Sequence, residues 1–350
     1  MPASESTSFL PDWPRAGQPV LHSGLIKAEP EDFQVWELPT GLPDGEGEHL
    51  WVKVRKRDWN TPPVASMLAR WAGVPIRDVS YAGLKDRQAV TEQWFSIQLA
   101  GKDDPSLPAA LKPGVEILEM KRHSRKLRRG ALRGNRFEII VRECAGETGL
   151  VDSAVERIRR EGVPNYFGEQ RFGRQGANIP RALEMLTGKR RIRDRNQRSL
   201  LLSAARSLVF NDLLSARISE GIWCTPVVGD LMMLDGSHSL FPVDVVDQAL
   251  LDRATSGEVH PTGILPGKSG KLETHDDAAA LEEAVLADHE KLVAGLVKQK
   301  VKAARRALRV FPAELQHEWL TGDRLRLGFT LPAGSYATAV LRELIGGMPS

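Results

Sequence analysis

An acid stands beside a base in a short loop of the sequence, and this pair is the strongest candidate for chemistry. The two residues are Lys85 and Asp86, within the run SYAGLKDRQAVTEQWFSI at positions 80–97. Residues 94–99 then alternate between polar and apolar positions, which predicts a half-buried strand. A strand end holds a loop carboxylate rigidly, and small misplacements of a catalytic group cost orders of magnitude in rate. Asp86 is therefore the candidate catalytic residue; from local chemistry alone, the alternative is an aspartate that closes a turn.

Signatures of other enzyme classes are weak in this sequence. Gly263, Gly267, Lys268 and Ser269 resemble a phosphate-binding loop, but one residue too few separates the glycines. The sequence contains neither an HExxH metal motif nor a GxSxG nucleophile elbow. The eight histidines are scattered and only two cysteines occur, so no metal site is predicted.

Alternating segments around the loop predict the strands that position it. Such strands are expected over residues 25–38, 49–55, 80–83, 92–99, 115–122 and 136–142. Thr61 is predicted to be the N-cap of a helix, with Pro62 at the first helical position. The first section of the chain therefore has the pattern of a mixed α/β sheet domain.

The middle of the chain is predicted to be more helical. Helices are expected over residues 179–187, 199–220 and 276–307, followed by a strand over 324–330 and a helix over 338–345. The basic run from Lys298 to Arg309 is predicted to be an amphipathic helix that overlaps the third of these. The reason is that apolar residues repeat at helical spacing, at Val293, Val297, Val301, Ala304 and Leu308.

Charge is clustered although the net charge is only +3. The tract KRHSRKLRRGALRGNR, at residues 121–136, contains eight Lys or Arg and no acid. Residues 189–198 add six more with only Asp194 against them. Such tracts suit a nucleic-acid phosphate backbone, and the alternative is a solvated basic face.

The length suits a protein with two domains, and the composition is ordinary for a soluble globular protein. The chain has 350 residues, of which 41% are hydrophobic and 27% charged. The first residues lack the pattern of a secretory signal, and no run of about 20 apolar residues could span a bilayer. We expect a cytoplasmic location and no membrane association.

Five separated segments resemble the TruD family of tRNA pseudouridine synthases, in family order. They are EDF at residues 31–33, AGLKD at 82–86, GNRF at 134–137, NYFGEQRFGRQG at 165–176 and LPAGSYATAVLREL at 331–344. The resemblance implies a pseudouridine synthase catalytic domain that is discontinuous, formed by residues 1–160 and 311–350. It also implies an inserted α/β TRUD-specific domain over residues 161–310.

The same resemblance implies an isomerase that needs no cofactor and that detaches, rotates and rejoins a uracil through one aspartate. Asp86 matches that aspartate, while Phe33, Asn135 and Tyr336 match residues that hold the flipped base. The family commonly has Phe where Tyr336 stands, so the added hydroxyl needs a partner. Without the resemblance, Phe33 and Tyr336 have the pattern of core residues.

Several basic residues are expected to support this site. Lys27, Lys85 and Arg342 are candidates for keeping Asp86 ionised, because an opposite charge within about 4–6 Å favours the charged form. For the RNA backbone the candidates are Arg128, Arg129 and Arg133.

The resemblance implies a tRNA substrate, with position 13 of the D-arm in tRNA-Glu as its target. We expect no obligate protein partner, and a monomer is the default. The alternative function is a non-catalytic protein that binds or folds structured RNA, which the basic tracts alone would also suit.

Overall fold

The computed structural model describes residues 9–108, 110–270 and 273–347. Within these ranges, the chain forms sixteen strands and eight α-helices. The strands are β1 (Leu21–Leu25), β2 (Phe33–Pro39), β3 (His49–Arg57), β4 (Val79–Tyr81), β5 (Val90–Gln98), β6 (Val115–His123), β7 (Leu132–Gly146), β8 (Val163–Pro164), β9 (Leu231–Leu234), β10 (Leu240–Pro242), β11 (Val259–Leu265), β12 (Ala304–Ala307), β13 (Arg309–Val310), β14 (Ala313–Trp319), β15 (Leu325–Pro332) and β16 (Ile345–Gly347). The helices are α1 (Thr61–Trp71), α2 (Val151–Glu161), α3 (Asn178–Leu186), α4 (Arg195–Ser219), α5 (Gln248–Thr255), α6 (Asp276–Asp288), α7 (Glu290–Lys298) and α8 (Ala337–Arg342). Among the described residues, no helix is both long and apolar enough to cross a bilayer.

The chain divides into two compact units. The sheet unit comprises Pro19–Val155, Pro312–Gly334 and the described part of Leu344–Ser350. The helical unit comprises the described part of Met1–Gln18, together with Glu156–Phe311 and Ser335–Glu343. The predicted insertion covers residues 161–310 only. The helical unit also includes the described part of Met1–Gln18 and Ser335–Glu343, which were predicted to belong to the catalytic domain. The functional domain assignment stays a prediction.

The sheet unit is built on a mixed sheet with the strand order β14-β15-β7-β2-β5-β3-β6. Strand β1 pairs with β7 and β16, and β4 pairs with β5. The β2–β5 and β1–β16 pairs are parallel, and the other pairs are antiparallel. One face packs on α1 through a buried apolar cluster that includes Leu50, Val54, Leu68, Phe95 and Ile97. The predicted mixed α/β class is confirmed.

The helical unit packs α3, α4 and α7 around an aromatic and aliphatic core that includes Phe172, Phe210 and Leu296. It also holds the antiparallel sheet β10-β9-β11-β12 and the small β13–β8 pair.

The predicted helix over residues 276–307 is wrong after residue 298, and the part before it is two helices that meet at His289. Helices α6 and α7 end by Lys298, and Lys300 adopts a left-handed φ of 57° that stops helical propagation. The basic run then forms β12, which pairs with β11 through Thr262 opposite Ala307. Strand pairing with a segment some forty residues earlier thus overrides the local helical spacing.

Smaller differences concern element ends. Asn60, not Thr61, is the N-cap of α1, and Thr61 is the first helical residue. Strand β7 runs through Gly146, well beyond the predicted end at residue 142. The C-terminal helix α8 stops at Arg342, and β16 follows it.

Candidate active site

Asp86 lies in the loop between β4 and β5, where its carboxylate meets one amine. Lys27 Nζ donates to Asp86 Oδ2 at 2.8 Å. The side chains of Asp86 and Lys27 are 38% and 19% exposed, so the pair is reachable from solvent. Among the described residues, Lys27 is the only side chain that donates to this carboxylate. The aspartate is therefore held at one oxygen, and the other oxygen is available to react.

Lys27 is itself tightly constrained. Its backbone has a left-handed φ of 57°, which costs a non-glycine residue about 1–2 kcal/mol. Its amine also lies 4.3 Å from the centre of the Phe33 ring. This cation–π contact and the bond to Asp86 together fix the position of the amine.

Phe33 is a core residue of the sheet unit in this structure. It is 3% exposed, and its ring contacts Phe137 in an edge arrangement with centroids 6.2 Å apart. One face of the ring is covered by the Lys27 amine. Its predicted contact with substrate stays a prediction.

Buried polar groups fix the main chain of the Asp86 loop. The Lys85 amide donates to Thr61 Oγ1 at 3.0 Å, and that hydroxyl donates to Gln93 Oε1 at 2.9 Å. Gln93 Nε2 then donates to the Gly83 carbonyl at 3.2 Å. Because Thr61 and Gln93 are fully buried, water does not compete for these bonds. The loop is thus tied both to the start of α1 and to β5.

Lys85 forms an ion pair with Glu37 rather than with Asp86. Its amine lies 2.6 Å from Glu37 Oε2, and the two side chains are 5% and 1% exposed. The other Glu37 oxygen accepts from the Trp94 amide at 3.2 Å. Lys85 therefore anchors the loop to β2, and Lys27 is the basic candidate of this unit in contact with Asp86.

A lysine that the sequence reasoning did not select lies beneath the loop. Lys56, near the end of β3, is completely buried. Its amine donates to the carbonyls of Trp59, at 2.6 Å, and Asp86, at 2.8 Å. Burial lowers the pKa of Lys56 to about 8, while the nearby Asp86 carboxylate acts to raise it.

Asn135 lies on the sheet face that also carries Phe33 and Glu37. In the sheet register, Asn135 is opposite Glu37 on one side and Leu331 on the other. Its Oδ1 atom is buried without a hydrogen-bond partner among the described residues. An unsatisfied buried acceptor is uncommon and costs about 1–3 kcal/mol. The atom is therefore suited to receive an N–H group from a ligand.

Two of the candidate RNA-backbone residues, Arg128 and Arg129, lie in an exposed loop joined to the Asp86 segment, and Arg133 lies directly after this loop at the start of β7. Arg128, Arg129 and Arg133 are all exposed. The amide of Gly130, in the middle of this loop, donates to the Ala82 carbonyl at 2.8 Å. Arg129 stacks over the Tyr81 ring at 4.2 Å and donates to its hydroxyl. The basic loop and the Asp86 loop are thus directly linked.

Tyr336 belongs to the helical unit, where it is the N-cap residue of α8. Its hydroxyl accepts hydrogen bonds from Arg171 Nε at 2.9 Å and from Arg171 Nη2 at 2.5 Å. Its ring meets Phe167 edge-on with centroids 6.0 Å apart. Arg171 therefore supplies the partner that the added hydroxyl needs.

Arg342, the third basic candidate, also belongs to the helical unit. It donates to the Trp13 carbonyl, and its guanidinium lies 4.8 Å from the centre of the Tyr166 ring. Burial lowers the pKa of Arg342. These contacts are those of a packing residue.

Sequence reasoning missed Lys56, Thr61, Gln93 and Glu37 as loop anchors. One signal was available for Lys56, because it continues the inward positions of Val52 and Val54 in an alternating strand. A lysine at such a position is seldom buried without a purpose.

Comparisons with known proteins identify relatives over nearly the whole chain. A family model described as "tRNA pseudouridine synthase D (TruD)" matches residues 21–189 and 182–344. A tRNA pseudouridine synthase D of Hydrogenovibrio crunogenus is 46% identical over 323 residues, covering 92% of this chain and 93% of that protein. One from Xanthomonas campestris pv. campestris (strain 8004) is 45% identical over 351 residues, covering 96% and 95%. A crystal structure from Methanosarcina mazei that carries the TruD name has the same fold, with a TM-score of 0.69, 23% identity and 96% coverage of each chain.

Proposed function

The chain belongs to the TruD family of tRNA pseudouridine synthases, and we propose that it isomerises uridine to pseudouridine at position 13 of the tRNA D-arm. The substrates are of the tRNA-Glu type, and the reaction takes place in the cytoplasm without a cofactor. The observation that carries this proposal is the rigid placement of one solvent-accessible carboxylate, Asp86, beside the amine of Lys27.

The Asp86 carboxylate is held by the Lys27 amine, which donates to Oδ2 at 2.8 Å. An ionised carboxylate serves as a nucleophile or as a base, so the same group takes part in both halves of the isomerisation. The uracil is detached from its ribose carbon, rotates while it is held, and is rejoined through carbon-5. Rigid anchoring of the Asp86 loop supports this role because the carboxylate must meet one defined atom.

The target uridine must leave its base stack, which costs a few kcal/mol. We propose that Asn135 Oδ1, which lacks a partner among the described residues, accepts a hydrogen bond from the uracil N3–H. Phe33 and Tyr336 are the proposed aromatic contacts, since stacking on an aromatic ring stabilises a base by about 1–3 kcal/mol.

The decisive assay is tritium release from carbon-5-labelled uridine in an unmodified tRNA-Glu transcript. Wild type should release tritium, and Asp86→Ala should bind the tRNA nearly normally but release none. The control is Asp104→Ala, which removes an exposed aspartate paired with Arg122 and should keep wild-type release. Turnover retained by Asp86→Ala would refute the role of Asp86. Tight binding without release by wild type would favour the non-catalytic RNA-binding alternative.

The basic loop is proposed to hold the tRNA backbone. Replacing Arg128, Arg129 and Arg133 together with Ala should weaken tRNA binding and reduce the slope of log affinity against log salt by roughly 2. Unchanged affinity and slope would make this loop a solvated surface.

A further inference from the structure

Lys56 has an environment that a lysine rarely occupies. The side chain is completely buried, although a charged lysine is almost never fully buried unless it is paired. Among the described residues, no carboxylate lies within ion-pair distance of its amine. Its two hydrogen bonds go to main-chain carbonyls instead. Burying this amine therefore costs desolvation free energy that no ion pair offsets.

The two carbonyls identify what Lys56 joins. One belongs to Trp59, in the turn between β3 and α1, and the other belongs to Asp86 itself. The same two segments are joined by the Asp58 amide, which donates to the Ala89 carbonyl at 3.2 Å. The Lys56 amine is the link that reaches the main chain of Asp86.

Lys27 and Lys56 therefore hold different ends of the same aspartate. Lys27 contacts the carboxylate and is partly exposed, whereas Lys56 contacts the carbonyl and is buried.

We propose that Lys56 is a positioning residue, whose charged amine fixes the main chain of Asp86 so that the carboxylate meets the target uridine. This inference rests on the proposed catalytic role of Asp86. In this role Lys56 acts through Asp86 and does not contact the substrate.

The protonation state of Lys56 provides a specific readout. Charged groups near its amine are Asp86 and Lys85 on the loop and Asp58 after β3, and its neighbour across the β3–β5 register is the uncharged Thr91. Because burial lowers the pKa of Lys56 to about 8, the amine loses its charge when the pH rises through that value. Turnover by wild type should therefore fall above pH 8.

The test compares Lys56→Met and Lys56→Arg with wild type in single-turnover tritium release at saturating tRNA. Lys56→Met should lower the rate about 100-fold, the loss expected from a misplacement of about 1 Å, with tRNA affinity unchanged within twofold. Lys56→Arg keeps its charge at high pH, so its rate relative to its own maximum should fall less than that of wild type between pH 8 and 9. Ionisation of the substrate acts equally on both proteins. If the arginine does not fit the buried site and the variant fails to fold, the residual activity of Lys56→Met supplies the same pH comparison.

The matched control is Lys53→Met on the same strand. Lys53 is partly exposed and pairs with Glu92 on the opposite sheet face, so its loss should leave the rate within twofold of wild type. A wild-type rate for Lys56→Met, or the same alkaline fall in Lys56→Arg and wild type, would overturn the proposal. Asp86→Ala in the same assay separates the two ideas. If Asp86→Ala is inactive while Lys56→Met is fully active, only the role of Lys56 fails; if Asp86→Ala is active, the proposed chemistry itself fails.

Discussion

Replacing Glu37 with Gln should destabilise the sheet unit by about 3–5 kcal/mol. The substitution keeps the shape of the side chain and an oxygen for the Trp94 amide, but it removes the charge that faces Lys85 at 2.6 Å. Both side chains are almost completely buried, so the lysine would remain as an uncompensated charge away from water. Breaking a buried ion pair by removing one partner costs about 3–5 kcal/mol. That is a large part of the 5–15 kcal/mol by which a typical protein is stable.

Hydrogen exchange over residues 90–98, read by mass spectrometry, is the assay specific to this unit, and urea unfolding gives the global value. The double variant Glu37→Gln with Lys85→Met should recover most of the loss, because the glutamine oxygen still accepts from the Trp94 amide and no buried charge is left unpaired. The control is Glu116→Gln, which breaks an exposed pair with Arg55 and should cost less than about 1 kcal/mol. A loss below about 1 kcal/mol for Glu37→Gln, or a double variant no more stable than the single one, would refute the reasoning.

Three further changes test other contacts. Tyr336→Phe loses the hydroxyl that accepts from Arg171 but keeps the ring. We expect a stability loss of about 1 kcal/mol and a turnover rate within threefold of wild type. A tenfold lower single-turnover rate would contradict this. Gly134→Ala would place a Cβ 2.1 Å from the Leu331 carbonyl oxygen and should cost about 3 kcal/mol, which an unchanged urea midpoint would disprove. Between pH 8 and 10.5, Lys56 binds more protons in the unfolded chain than in the folded protein. The stability of wild type relative to Lys56→Met should therefore rise across that range by up to about 3 kcal/mol. Urea titrations at several pH values measure this difference, and a flat or falling difference would contradict the expectation.

The sequence was sufficient for the features that depend on local pattern. Alternation along residues 49–55 and 115–122 predicted β3 and β6 closely, because a half-buried strand has a period of two. The Asp86 loop and the helix that begins near Thr61 were also predicted, since turn and helix-start signals lie within a few residues. The family and fold were predicted from the five spaced motifs.

Features that depend on distant partners were not predictable in this way. The run at residues 298–309 has helical spacing, and only its pairing with β11 makes it a strand. Lys85 and Glu37 are 48 positions apart, and Tyr336 and Arg171 are 165 apart. Nothing in either local sequence selects the partner. Lys56 illustrates the same limit, since its two acceptors are main-chain carbonyls that carry no residue signature.

The pairing of β7 with β15 has a consequence for synthesis on the ribosome. Phe137 is opposite Phe329, 192 positions later (329 minus 137), so one edge of β7 cannot pair with β15 until nearly the whole chain has been translated. At about 5–20 residues per second, that edge would wait roughly 10–40 s after β7 emerges. An unpaired strand edge is a template for association with other chains. During that interval, association with other chains competes with folding at this edge, so we expect the yield of folded protein to depend on translation rate and chaperone supply.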